Sequence, residues 1–131
     1  MTELLHKELS DKVLGCAFSV HNILGPGLLE SAYQEALCVE LRLQAIPFER
    51  QKVYALEYRR EYIGAYIADL VVDNTLIMEL KSVEFLSNAM SAQVVNYLKL
   101  SGLEVGYLIN FQGVRVEWKR FVNVSASRPP G

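Results

Sequence analysis

Two apolar runs that read as neighbouring β-strands carry charge where the centre of a sheet normally excludes it. Ala65-Tyr66-Ile67-Ala68-Asp69-Leu70-Val71-Val72 is followed by Asp73-Asn74, a turn signal, and then by Thr75-Leu76-Ile77-Met78-Glu79-Leu80-Lys81-Ser82-Val83. Ionisable groups are rare in such strands unless they are paired or ligate a cation. Any fold for this chain therefore has to place Asp69, Glu79 and Lys81 where their charge is compensated. Glu79 and Lys81 are two apart, so on a strand they share a face.

Whether Asp69 joins them depends on hairpin register. A two-residue loop at Asp73-Asn74 pairs Asp69 with Met78 and turns it away from Glu79, whereas a three-residue loop, Asp73-Asn74-Thr75, sets Asp69 opposite Glu79. A slip of one residue reverses every side chain, so the apolar pattern discriminates. The three-residue register puts Leu70, Val72, Leu76, Met78 and Leu80 on one face; the other splits that set. The longer loop also gives Asn74 a left-handed position that suits asparagine. It is the favoured register.

The rest of the chain frames this hairpin. Leu5, Leu9, Val13, Cys16 and Val20 recur at helical spacing across residues 3–24, and Gly25-Pro26-Gly27 stops them. A second helix is expected over 28–43, with Leu29, Tyr33, Ala36, Leu37 and Leu41 on one side. Residues 48–54 alternate as a partly exposed strand, and the chain is expected to turn around Glu57–Ile63 before the strand that holds Asp69. A third helix over 87–100 ends at Ser101-Gly102. Val105–Phe111 reads as a buried strand and Val114–Val122 as an edge strand. The order ααβββαββ implies an α/β fold, a mixed sheet of about five strands flanked by helices. The strand-helix-strand passage from Glu79 to Phe111 should join parallel strands. One domain is expected over residues 1–124, with a disordered tail at 125–131.

Two carboxylates ~5 Å apart across a strand pair suit a hard cation such as Mg²⁺. Such an ion polarises a phosphate oxygen and lowers the pKa of a bound water. Lys81 beside it would orient that water or offset charge on the phosphate. The bland alternative is an ion pair of Lys81 with the carboxylates, which desolvation opposes.

Asp69 followed after nine residues by Glu79-Leu80-Lys81 resembles the PD-(D/E)xK nuclease superfamily. Gly27-Leu28-Leu29-Glu30-Ser31-Ala32-Tyr33 matches the GxxExxY signature of one of its bacterial families. Gln93-Val94-Val95-Asn96-Tyr97-Leu98-Lys99 and Gly106-Tyr107-Leu108-Ile109-Asn110-Phe111 are similar to further stretches of that family, so the resemblance runs from about Glu8 to Val122. It implies a restriction-endonuclease-like core and Mg²⁺- or Mn²⁺-dependent hydrolysis of phosphodiesters in DNA or RNA. It also implies that Asp69 and Glu79 bind the metal, that Glu30 completes its shell, and that Lys81 activates water. Ala68 stands where the name motif has proline, which is no ligand. Ile67 and Met90 stand where members of the family it resembles often carry a basic residue and a histidine.

Other residues have plainer accounts beside the functional one. Glu30, three residues after Gly27, suits the positive end of a helix dipole. Tyr33, one turn on, is a substrate-side candidate but also a packing residue. Gln93 and Tyr97, four apart, both can face the cleft: Gln93 to orient water or phosphate, Tyr97 as a second substrate-side candidate or as core. His21 has no nearby histidine partner and suits a helix C-terminus. Arg50, Lys52, Arg59 and Arg60 form the one notable basic cluster, readable as phosphate contacts or as a solvated hairpin.

A formal net charge of -2 argues against a protein that coats nucleic acid through a broad basic surface. It leaves three activities open: a nuclease, a catalytically silent module of the same fold that binds nucleic acid or a protein, and an enzyme acting on a small phosphorylated compound. Cys16 and Cys38 lack zinc spacing and are expected as reduced core residues. Residues 1–7 lack the basic start and apolar run of a secretory leader, and no run is long enough to span a bilayer, so the cytoplasm is the expected location. An open sheet or helix face would allow a homodimer.

Overall fold

The computed structural model describes residues 5–123, so the tail expected over 125–131 and both ends of the 1–124 domain lie outside the described residues. The elements are α1 (Lys7–Leu24), α2 (Glu30–Leu43), β1 (Phe48–Tyr58), β2 (Glu61–Val72), β3 (Leu76–Lys81), α3 (Asn88–Ser101), β4 (Val105–Asn110) and β5 (Glu117–Val122). This is the order ααβββαββ, an α/β architecture consistent with a restriction-endonuclease-like fold.

The strands form one sheet in the order β1-β2-β3-β4-β5. β3 and β4, joined through α3, pair in parallel, and the remaining neighbours are antiparallel. Alternation along the strands divides the core into two layers. Leu70, Val72, Leu76, Met78 and Leu80 pack with Val13, Cys16, Leu37 and Leu41 from α1 and α2. Val71 and Ile77 pack on the other side with Tyr97 and Leu98 of α3. The two helical layers thus enclose the sheet from both faces, and Cys16 and Cys38 are free thiols buried in the first of them.

Glycine controls the approach of α3. A Cβ built on Gly106 in β4 would lie 2.8 Å from Val94 Cγ1, so the helix can rest this close only because that side chain is missing. Ser87 caps the helix by accepting from the Met90 N–H (3.2 Å), and Gly102 closes it in the left-handed conformation.

The first hairpin is longer than its sequence indicates. β1 pairs with β2 from Phe48–Val72 out to Tyr58–Glu61, where a broad turn over Glu57–Ile63 was expected; the turn is only Arg59-Arg60. Cross-strand neighbours such as Tyr54–Tyr66 and Ala55–Ala65 carry the ladder through that stretch, and both arginines adopt positive φ without a glycine. Since β2 pairs with β3 only over Leu70–Val72, the outer half of the hairpin extends past the sheet. No helix among the described residues is long and apolar enough to cross a membrane.

Candidate metal and catalytic site

The site lies where β2 and β3 part. Their ladder runs Val72–Leu76, Val71–Ile77 and Leu70–Met78, enclosing the three-residue loop Asp73-Asn74-Thr75. Asp73 and Asn74 are both left-handed, with φ of 51° and 49°, and the Thr75 N–H closes the turn on the Val72 carbonyl (2.9 Å). One step further this register sets Asp69 across from Glu79, and there the regular ladder ends. The carboxylates replace the missing carbonyl acceptors: Glu79 Oε1 accepts from the Asp69 N–H at 2.9 Å, and Asp69 Oδ2 accepts from the Leu80 N–H at 2.9 Å. Each acid keeps a second oxygen outside these two bonds. Ala68 and Val71, three apart on β2, both pack on the α3 layer, so strand alternation itself breaks at Asp69 and Leu70.

Burial dictates the electrostatics. Glu79 is 2% exposed. That burial, and after it the adjacent Asp69 charge, push its carboxyl up to about 8. Asp69 is also raised by burial, against the Leu80 N–H and the Lys81 charge, which favour its ionised form. At neutral pH Glu79 therefore keeps its proton. Lys81 ends β3, half-buried, and its charge favours ionisation of both acids.

α3 supplies a polar layer beside the pair. Gln93 Nε2 donates to the Tyr97 hydroxyl at 3.0 Å, and that hydroxyl donates to the Ile67 carbonyl at 2.8 Å. Burial first, then the Glu79 charge, hold Tyr97 up at about 12, so the phenol stays protonated. It anchors the strand two residues before Asp69.

The structure separates the α2 candidates from this group. Glu30 is the exposed first residue of α2. The Ser82 hydroxyl donates to the Leu28 carbonyl (2.8 Å), tying the loop before α2 to the end of β3. Yet no cluster of three or more His, Cys, Asp or Glu side chains able to hold a metal occurs among the described residues. Asp69 and Glu79 meet as a pair, and Glu30 stands apart. Tyr33 does not line an opening toward substrate: it is fully buried in the α1–α2 layer, stacked on Phe111 with centroids 4.5 Å apart. Its hydroxyl donates to the Gly25 carbonyl (2.6 Å) and accepts from the Leu28 N–H (3.1 Å), clamping the loop that leads into α2. His21 Nε2 is likewise engaged, by the Gly113 carbonyl at 2.9 Å.

Two contributors carried no sequence signal of their own. Asn110, buried at the end of β4 and paired across from Lys81, accepts from the Val83 N–H (3.0 Å) and donates to the Val83 carbonyl (2.8 Å). It fixes the chain just beyond the lysine. Gln51 lies within β1 and adopts φ of 49°; hydropathy marks it only as an exposed strand position. Of the basic cluster, Arg50 is paired with Glu35 and Lys52 with Glu49, and neither Arg59 nor Arg60 has an ion pair among the described residues.

The donor set fits a hard divalent ion. Two adjacent carboxylates offer oxygen only, each with one oxygen already held in place by a backbone N–H, and Mg²⁺ is commonly bound by one or two carboxylates with water and phosphate oxygens completing the shell. A model of the PD-(D/E)XK nuclease superfamily matches residues 7–121. No curated protein and no solved structure matches the chain. The same stretch runs from the first residue of α1 to one residue short of the end of β5 and includes the acids at the parting of the sheet, and the chain belongs to the PD-(D/E)XK nuclease superfamily.

Proposed function

We propose that this protein is a Mg²⁺-dependent nuclease, of the GxxExxY type, that hydrolyses phosphodiester bonds in DNA or RNA. The observation that carries the reading is the reciprocal pair of hydrogen bonds that pins Asp69 and Glu79 against each other where β2 and β3 separate. Asp69 and Glu79 would hold the ion, with Mn²⁺ as a substitute. A bound divalent ion supplies charge that polarises a phosphate oxygen and acidifies a water. To serve as a ligand Glu79 would give up its proton, since ligating carboxylates must be ionised. Lys81 presents its ammonium beside them, to orient the attacking water or to offset charge growing on the phosphate. Gln93, its Nε2 fixed on Tyr97, has its amide oxygen free to orient a water. Glu30 enters only as an outer acid from the start of α2, and its loss costs less than that of either paired carboxylate. Two buried, reduced cysteines support action in the cytoplasm.

Incubation with single- and double-stranded DNA and RNA tests this. Cleavage should require Mg²⁺ or Mn²⁺ and stop with chelator. It should fall by about a hundredfold or more in Asp69→Asn, Glu79→Gln and Lys81→Ala, as for other groups that stabilise a transition state. A wild-type protein that binds neither ion at millimolar concentration would sink the reading.

A second reading, a silent module that binds nucleic acid or a protein partner, is favoured by Ile67 and Met90, apolar residues where the family it resembles often has a basic residue and a histidine. Binding without cleavage, indifferent to Lys81→Ala, would establish it. If nucleotides compete with long nucleic acids for the metal-loaded site, the substrate is a small phosphorylated compound.

A further inference from the structure

The most strained backbone within the sheet is at Gln51. On either side of it β1 pairs regularly with β2, Arg50 with Leu70 and Lys52 with Ala68, yet Gln51 itself sits at φ of 49°. The residue bracketed by the same two pairs on β2 is Asp69. A non-glycine residue in the left-handed region persists only where its surroundings over-determine it, and such residues cluster at functional sites. Here the surroundings are polar. Gln51 Nε2 donates to Gln34 Oε1 at 3.1 Å, so its side chain reaches α2 one helical turn beyond Glu30. A glutamine amide has two N–H donors, and the Gln51 side chain lies close enough to the Asp69 carboxyl to favour its ionised form.

We propose that Gln51 is a positioning residue: it orients Asp69 so that one oxygen takes the Leu80 N–H and the other is presented beside Glu79. Through Gln34 it braces that aspartate against α2. The inference rests on the reading of Asp69 as a metal ligand only in its consequence, weaker metal binding when the brace is lost. The orientation of Asp69 itself is measurable without metal.

Gln51→Gly is the informative variant, because glycine adopts φ of 49° freely and removes the amide without adding strain. Its melting temperature should be equal to or above that of wild type. In metal-free protein, hydrogen exchange of the Leu80 amide, which donates to Asp69 Oδ2, should accelerate about tenfold, while Val71 and Ile77 amides exchange as before. Mn²⁺ alone, titrated calorimetrically, should bind about tenfold more weakly, the lower end of the loss typical for partners that orient a ligand. A purely structural Gln51 would instead lower the melting temperature and leave Leu80 no different from its neighbours. Unchanged Leu80 exchange overturns the proposal. So does faster exchange with undiminished Mn²⁺ affinity. If wild type binds no Mn²⁺, the metal reading falls, and Leu80 exchange still decides the role of Gln51.

Discussion

Glu79 stores the largest electrostatic tension among the described residues. It folds protonated, with a carboxyl pushed up to about 8, and unfolds to an ordinary value of 4.5. Between those values the folded chain binds more protons than the unfolded one, so stability falls as pH rises. Metal-free protein should therefore be most stable below about pH 4.5 on this account, lose on the order of a few kcal/mol by pH 8, and level off above. Melting curves recorded in chelator from pH 5 to 9 check the sign. Glu79→Gln, which keeps the acceptor for the Asp69 N–H, should flatten the slope and melt higher than wild type at pH 9. The presence of this acid, with Asp69 and Lys81, was legible in the sequence because charge in an apolar strand is conspicuous. The roles of Tyr33 and Asn110 were not, because their partners are loop carbonyls and N–H groups that no periodic pattern encodes.

Among the elements, α3 on β4 is the contact least able to give. Gly106→Ala would drive a Cβ into Val94 at 2.8 Å, and overpacking of this kind costs about 1–3 kcal/mol. Chemical denaturation should show that loss, and Gly106→Ala with Val94→Ala should recover part of it. The order of elements was readable because each carries its own period. The β2–β3 register was readable for a stronger reason, since only one register gathers Leu70, Val72, Leu76, Met78 and Leu80 on one face. The outer half of the β1–β2 hairpin lacked such a signal. Val53, Ile63 and Ile67 remain exposed there, and Arg59-Arg60 is a turn without glycine, proline or asparagine.

At the scale of the whole molecule, two core layers stabilise a sheet whose buried acid pair opposes folding when ionised. Ligand binding to the folded state alone stabilises by about 2.7 kcal/mol at a hundred times the dissociation constant. Mg²⁺ should accordingly raise the melting temperature of wild type in a concentration-dependent way and leave that of Asp69→Asn unmoved. Thermal shifts across a Mg²⁺ series measure both. The same architecture constrains the length of a turn. Exposed turns ordinarily tolerate the gain or loss of a residue, and Asp73 and Asn74 are exposed. Loss of Asn74 would nonetheless shift β3 by one position against β2, sending Glu79 toward the α1–α2 core and Leu80 toward α3. Asn74→Gly should fold and melt like wild type or higher, since glycine suits φ of 49°, whereas deletion of Asn74 should leave the chain insoluble. In-frame length changes between Val72 and Leu76 are thus expected to be purged as strictly as a proline placed mid-helix, although Asp73 and Asn74 are exposed.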